Sequence, residues 1–398
     1  MTHPPLHGLK ILDLSQHAPG PFATMILGDL GAEVTHIVHP GASAGPMYFK
    51  QLLDDPFVGV RFGPKDTLMR NKRSLTLDLK TDCGLEICRK LALQSDVMVV
   101  EMRPGKLAKF GLDHATLKAD NPGLIACCIS GYGSNGPLAQ SAGHDLNYVA
   151  LSGALELMRD SNGEPLPPQN VLGDYVGGGY LAVIGILAAL AAREKTGQGQ
   201  EIDVGMLDGV LLTLADLFSA PLNGIGRVSD WRSTLGGGMP NYRCYRCADG
   251  QYLAVASLEK RFSETLLREL DLLHFFERMD SSESNASVAE ALAKKFAEKP
   301  RADWLDLFNG KDVCITPVLD MTEVADDPQV RAREMVVERF GVRQIAPAPR
   351  FSETPSSIRS APAQPGQHNR QVLTELGYDE DSMERIVASG AVGTADLR

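Results

Sequence analysis

Between Gly8 and Ile129, short apolar or β-branched runs, each about the length of one strand, are separated by turn residues and by segments with helical spacing. The first run, Gly8 to Ser15, contains Ile11-Leu12-Asp13-Leu14, and Pro19-Gly20-Pro21 then punctuates the entry to a helical pattern through Met25, Ile26, Leu27 and Leu30. Further strands are expected at Glu33–Val38, Leu75–Leu79, Val97–Val100 and, after the Asn121-Pro122-Gly123 turn, Leu124–Ile129, with an amphipathic helix at Leu85–Leu93. Parallel strands need crossovers long enough to hold a helix. The alternation therefore predicts an open, mainly parallel sheet covered by helices on both faces, an α/β, Rossmann-like body.

Helical patterns follow at Asp145–Met158 and at Gly177–Arg193, the second apolar on every side as an enclosed helix would be. A turn at Thr196–Gln200 leads into the strand-like Glu201–Val204, and Leu207–Leu217 is again helical in pattern. From Asn223 to Tyr242 the chain is glycine-rich and irregular, before the alternating strand Tyr252–Ala256 and amphipathic helices between Phe262 and Leu307. Ala346–Gln367 is too rich in proline for regular helix, and Gln371–Ala388 is a final amphipathic segment. The expected organisation is a large Rossmann-like domain over 1–204, a linker and glycine-rich loop over 205–240, a smaller α+β domain over 241–332, and a return segment, 333–398, that completes the large domain.

Composition removes several function classes. The formal charge is −11, from 39 Lys plus Arg against 50 Asp plus Glu, so electrostatic attraction to nucleic acid or to an anionic membrane is not expected. The first eight residues lack the pattern of a secretory signal, and the apolar run Val176–Ala192 is short for a membrane span, so neither export nor a transmembrane segment is expected. Seven irregularly spaced cysteines suit a reducing cytoplasm better than a disulfide framework.

Two motifs fail on context. Gly131-Tyr-Gly-Ser-Asn-Gly136 has dinucleotide-binding spacing, but Pro137 and a polar stretch stand where a helix would have to begin. Cys244 and Cys247 have metal or redox spacing, yet no second Cys or His pair lies near them. What survives is a set of polar residues beside glycines: Gly143-His144-Asp145, and Gly173-Asp174 just before Gly177-Gly178-Gly179. Asp145 and Asp174 can be read as helix N-caps with His144 as a loop residue, or as members of a site.

Those segments, with Gly131-Tyr-Gly, Leu151-Ser-Gly, Asp29-Leu-Gly-Ala-Glu-Val, Asn71-Lys-Arg-Ser-Leu-Thr-Leu-Asp-Leu-Lys80, Arg103-Pro-Gly, Asp312-Val-Cys-Ile-Thr-Pro-Val318 and Pro349-Arg-Phe-Ser, resemble the family III CoA-transferases of the CaiB/BaiF type. Within that group, Gly143-His-Asp-Leu-Asn-Tyr148 and Leu258-Glu259 most resemble the α-methylacyl-CoA racemase branch. The resemblance implies that His144 and Asp174 are two acid/base groups that invert the α-carbon of a 2-methylacyl-CoA through an enolate, with Glu259 supporting His144. N–H groups at the start of the helix after Asp174 would stabilise the enolate oxygen. In the transferase branch the same carboxylate would instead attack an acyl-CoA and carry an acyl-enzyme intermediate, and Gly236-Gly-Gly-Met-Pro vaguely resembles a transferase loop.

The resemblance further implies CoA recognition by Arg70, Lys72, Arg73, Arg103 and Lys109, no metal or cofactor beyond the CoA of the substrate, and an interlocked homodimer in which Glu259 enters the partner's site. His36 and His39 stand where such proteins often carry arginine, and Lys109 replaces another frequent arginine, which predicts an altered phosphate grip. Met25, Met158, Met206 and Met239 are candidates to line an acyl-chain surface.

Overall fold

A computed structural model describes residues 3–42, 51, 54, 56–160, 162–226, 235–279 and 285–393. The chain divides into two compact units, one of residues 1–153, 167–212 and 332–398 and one of residues 154–166 and 213–331. The segment 154–166, read from sequence as part of the large domain, groups with the second unit.

The first unit is built on six parallel strands in the order β3-β2-β1-β4-β5-β6: β1 Lys10–Asp13, β2 Glu33–Val38, β3 Lys72–Thr76, β4 Val97–Val100, β5 Ile125–Ser130 and β6 Glu201–Gly205. Alternate residues face opposite sides, so each strand feeds two cores. Leu12, Met98, Val100 and Ala126 pack under α2 (Asp82–Leu93) and the C-terminal helices. Ile11, Val99, Ile125 and Ile129 pack under α1 (Pro19–Asp29) and the long helix α4 (Leu181–Thr196).

Chain order reverses between β1 and β4: β1 leads outward to β2 and β3, while β4 leads the other way to β5 and β6. The loops leaving β1 and β4 therefore diverge and open a crevice at the carboxyl edge of the sheet, the place where open α/β sheets bind ligands.

β3 begins three residues before the expected strand, at Lys72. Its register, Val34 beside Lys72 and His36 beside Ser74, brings charged residues into the sheet. That is tolerated because Lys72 meets Asp13 of β1.

The helical pattern from Gly177 starts earlier than read. Val171–Tyr180 forms π-helical turns that run directly into α4, so 171–196 is one unbroken run, long and apolar enough by length and composition to cross a bilayer. In this fold its Ala182, Val183, Ile186 and Ala189 are buried against the sheet.

Two further departures have local causes. The hairpin of Val336–Arg339 and Val342–Ile345 turns through Phe340 and Gly341, both at positive φ, and a phenylalanine there conceals the turn from a sequence reading. Gln371–Ala388 is two helices, Asn369–Glu375 and Glu380–Ala388, because Gly377 takes positive φ and Asp379 caps the second.

The second unit holds a three-stranded antiparallel sheet, Tyr242–Arg246, Tyr252–Ala256 and Ile315–Pro317, packed with helices Lys260–Glu269, Asn285–Phe296 and Arg301–Phe308 around Trp304 and Phe296. Of the expected loop Asn223–Tyr242, residues 227–234 lie outside the described residues.

Candidate active site

His144 is the N-cap of α3 (Asp145–Leu151), with its extended backbone held by its own N–H donating to Asn147 Oδ1 at 3.0 Å. The imidazole is exposed. Asp145, the first helical residue, does not cap its own helix. Its Oδ1 accepts from the backbone N–H groups of Gly173 (2.6 Å) and Asp174 (2.9 Å), so one buried carboxylate ties the His144 turn to the Asp174 turn. A Cβ on Gly173 would stand 2.7 Å from that oxygen, so only glycine fits there.

Asp174 lies in the π-helical turns rather than at a helix entrance. Asn170 donates to its Oδ2 at 2.9 Å, one turn back. Burial raises the Asp174 carboxyl above its ordinary range. The Asn170 hydrogen bond opposes this, the Asp145 charge adds to it, and the nearby His144 lowers it. His144 and Asp174 are thus within electrostatic reach of each other.

The glycines after Asp174 do not supply free N–H groups at a helix start. Gly177, Gly178 and Gly179 sit within the continuous helix, where a Cβ would come within 2.6 Å of Met206 O, 2.8 Å of Pro19 Cβ and 2.6 Å of Phe22 Cδ1 respectively. Their role is close packing, and the expected oxyanion donors are not at that position. Gly131 and Gly143 likewise make room for Tyr148, whose hydroxyl donates to Gly143 O at 2.6 Å.

Two residues complete the crevice without having been singled out from sequence. Glu101 directly follows β4, and its Oε2 accepts from the backbone N–H of Gln16 (3.0 Å) and of His17 (2.7 Å) in the loop leaving β1. Burial, with added repulsion from Asp13 and Asp174, outweighs those two bonds and pushes the Glu101 carboxyl up to about 7. The His17 imidazole is lowered, chiefly by desolvation and then by His144 and Arg61. His17 is exposed and Glu101 half-buried. The available signal was a carboxylate closing the buried run Val97–Val100 at the point where strand order reverses.

The five expected CoA-contacting cations separate. Arg70 is buried, bidentate to Asp29 (3.0 and 2.6 Å) and bonded to Gln344 and Ile345 O. Lys72 is buried among Asp13 (3.2 Å), Pro21 O (2.9 Å) and Thr24 (2.6 Å). These two spend their donors inside the fold and present nothing to a phosphate. Arg73 pairs with Glu375 at 2.5 Å on a partly exposed face.

Arg103 and Lys109 are exposed on the segment after β4, and their side chains make no hydrogen bond or ion pair among the described residues. Arg103 borders a cavity of about 260 Å³ with Met98, Cys128, Ser130, Glu201 and Asp203. His36 is buried with Nε2 2.7 Å from Ser15 O, whereas His39 is exposed, 3.8 Å from Asp78. Glu259 belongs to the second unit, as N-cap of the helix Lys260–Glu269 and within electrostatic reach of Cys314.

The sequence profile described as CoA-transferase family III matches residues 6–369. The chain belongs to this family. Among family III relatives it is 35% identical over 395 residues to the α-methylacyl-CoA racemase of Mus musculus, covering 96% of this chain and 98% of that protein. It is 33% identical over 400 residues to the succinyl-CoA:glutarate CoA-transferase of Homo sapiens, covering 98% and 90%. A solved structure of a CaiB/BaiF family protein from Brucella suis superposes with a TM-score of 0.80 at 27% identity, over 94% of this chain and all of that one. This chain is accordingly an enzyme of family III with the mixed α/β fold of CaiB/BaiF proteins.

Proposed function

We propose that this family III enzyme inverts the α-carbon of 2-methylacyl-CoA thioesters by proton transfer between two groups, His144 and Asp174. The observation that carries the reading is the Asp145 carboxylate bonding the Gly173 and Asp174 N–H groups, which ties the turn that bears the imidazole to the turn that bears a carboxyl of raised proton affinity. Removing a proton from one face and returning one to the other needs two such groups and no metal. Neutral His144 takes the proton from one enantiomer while protonated Asp174 supplies the other face, and the roles exchange in reverse. The 35% identity to a racemase over nearly the whole chain supports this assignment.

A second reading rests on the 33% identity to a CoA-transferase: Asp174 attacks an acyl-CoA and passes CoA to another carboxylate. One experiment separates the two. A single enantiomer of a 2-methylacyl-CoA is incubated in deuterated water. Deuterium at the α-carbon with loss of optical purity supports inversion, whereas CoA transfer to an added carboxylate with an acyl adduct on Asp174 supports the transferase.

Arg103 and Lys109 are the proposed phosphate-facing cations, because their charges are uncommitted among the described residues. We further propose that the enzyme acts as a cytoplasmic homodimer. Ile184, Leu187, Leu211 and Leu212 leave apolar surface exposed on α4 and on the helix Met206–Thr213, which a second copy would cover. The proposal for Glu259, support of His144 in the partner's site, is tested by whether Glu259→Gln impairs exchange.

A further inference from the structure

We propose that Tyr148 is a positioning residue for His144, its hydroxyl and ring together fixing the peptide unit that aims the imidazole. The effect on proton transfer rests on the function proposed above, whereas the fixing itself does not.

The Gly143–His144 peptide is held at both of its polar atoms by side chains of the helix it leads into. Its carbonyl accepts from the Tyr148 hydroxyl at 2.6 Å, and its N–H donates to Asn147 Oδ1 at 3.0 Å. Beyond the His144 Cα, the His144 carbonyl accepts from the Asn147 N–H at 2.8 Å. With the peptides on both sides pinned, His144 stays at φ −129° and ψ 174°, and the direction of its Cα–Cβ bond is set before substrate arrives. The two partners differ in shielding. Asn147 is exposed, so water competes for its bond, whereas Tyr148 is only 3% exposed and its bond is made away from water. Burial also raises the Tyr148 hydroxyl above its ordinary value, which keeps it a donor at neutral pH.

The ring is seated as closely as the hydroxyl. A Cβ on Gly131 would stand 2.5 Å from Tyr148 Cε1, and one on Gly143 would stand 2.8 Å from the same atom. Neither glycine takes positive φ, so the ring, and not the backbone, is what demands glycine at these two positions. Tyr132 meets the ring edge-on, with centroids 5.1 Å apart and planes at 85°. Gly131 directly follows β5, and its carbonyl accepts from the Leu207 N–H at 3.0 Å. The Tyr148 ring therefore spaces the His144 turn from the end of the sheet. Gly131-Tyr132-Gly133, which has dinucleotide spacing without the helix to use it, gains a purpose as the seat of that ring.

Tyr148→Phe keeps the ring and removes the bond. Nitrogen relaxation of the labelled, intact protein tests the fixing without turnover. The order parameter of the His144 amide should fall from about 0.85, the rigid-backbone value, toward about 0.6, while the β5 amides keep theirs. An unchanged His144 amide overturns the proposal. The second readout is α-deuterium exchange into each enantiomer of a 2-methylacyl-CoA, with His144→Ala identifying the enantiomer that His144 deprotonates. Tyr148→Phe should slow exchange of that enantiomer about tenfold with KM little changed, and leave the opposite enantiomer within about twofold. A merely structural tyrosine would slow both alike. Equal slowing of both enantiomers, or of neither, overturns the control of His144. Gly131→Ala, which drives its Cβ into the ring, should reproduce the one-sided loss, and unaltered exchange in that variant overturns the role of the ring. A loosened His144 amide in a protein whose parent exchanges no α-proton would retain the fixing and reject the inversion reaction.

Discussion

Two sets of buried charges meet at the point where the sheet reverses, and they are solved in opposite ways. Under β1, the Lys72 ammonium finds three acceptors in Asp13, Pro21 O and Thr24, and Asp13 takes further bonds from the Ser15 N–H and hydroxyl. Burial alone would raise Asp13, but Lys72, His36 and the Ser15 and Thr24 hydroxyls together hold it below its ordinary value. On the other side of the same loop, Glu101 accepts from two N–H groups but is half-buried and repelled by the Asp13 and Asp174 charges, and burial first and that repulsion second raise it to about 7. A matched buried charge fixes a loop. An unmatched one keeps a proton available at working pH, which is a property of sites and not of scaffolds.

The sharpest way to break the comparison is to unmatch the first set. Lys72→Met should cost about 3–5 kcal/mol, because Asp13 is left buried without its cation. Denaturant unfolding at pH 7 measures this. The loss should shrink at low pH, since Asp13, depressed in the fold, contributes stability above its ordinary range that disappears as pH falls through its folded value. If Lys72 instead served a CoA phosphate, the variant would keep its stability and lose affinity.

Asp145→Ala tests the tie between the two turns. Losing the acceptor for the Gly173 and Asp174 N–H groups should cost about 1–3 kcal/mol in stability. A displaced Asp174 should lower kcat by roughly 100-fold with KM nearly unchanged. Steady-state kinetics on either enantiomer reads the split, and an equal fall in affinity would point to a binding role.

Glu101→Gln addresses the unmatched set from the side of stability. A carboxyl raised from 4.5 to about 7 costs the fold nothing below its ordinary value and progressively more as pH rises through the folded one. The variant should therefore be more stable than the parent at pH 8 to 9, by at most about 3 kcal/mol and less where water screens the partly exposed group, and equal to it near pH 4. Thermal unfolding at the two pH values shows the crossover. A gain present equally at both would remove the linkage.

The sheet was legible because parallel strands advertise themselves as apolar runs between helical stretches, and Val97–Val100 and Glu33–Val38 fall where that pattern puts them. His144 and Asp174 were singled out through family resemblance, while local physics left Asp174 as a possible cap and His144 as a loop residue. What escaped was long-range pairing. Nothing in the order Arg70-Asn71-Lys72-Arg73 says that the first two charges, Arg70 and Lys72, turn inward to Asp29 and Asp13, forty to sixty positions away, while the third, Arg73, stays at the rim. Glu101 was missed for the same reason, since its significance comes from the Gln16 and His17 N–H groups meeting it in space. The π-helical turns also hide from a 3.6-residue pattern, so Asp174 was placed at a helix entrance when it lies inside one.

The smallest effect separates the rim cations from one another. Arg103 is exposed and, among the described residues, uncommitted, and its removal should weaken CoA about tenfold, the size of one charge-assisted hydrogen bond to phosphate. Arg73 already satisfies Glu375 in a half-exposed pair, a type of interaction worth about 0–1 kcal/mol, so Arg73→Ala should leave CoA affinity within about twofold. Calorimetric titration with CoA and with pantetheine makes the comparison independent of any reaction. The Arg103→Ala penalty should be absent with pantetheine, which lacks the nucleotide phosphates. If Arg73→Ala lost affinity for CoA and Arg103→Ala did not, the phosphates would lie over the β3 edge of the sheet, and the reversal point would serve only the thioester end of the substrate.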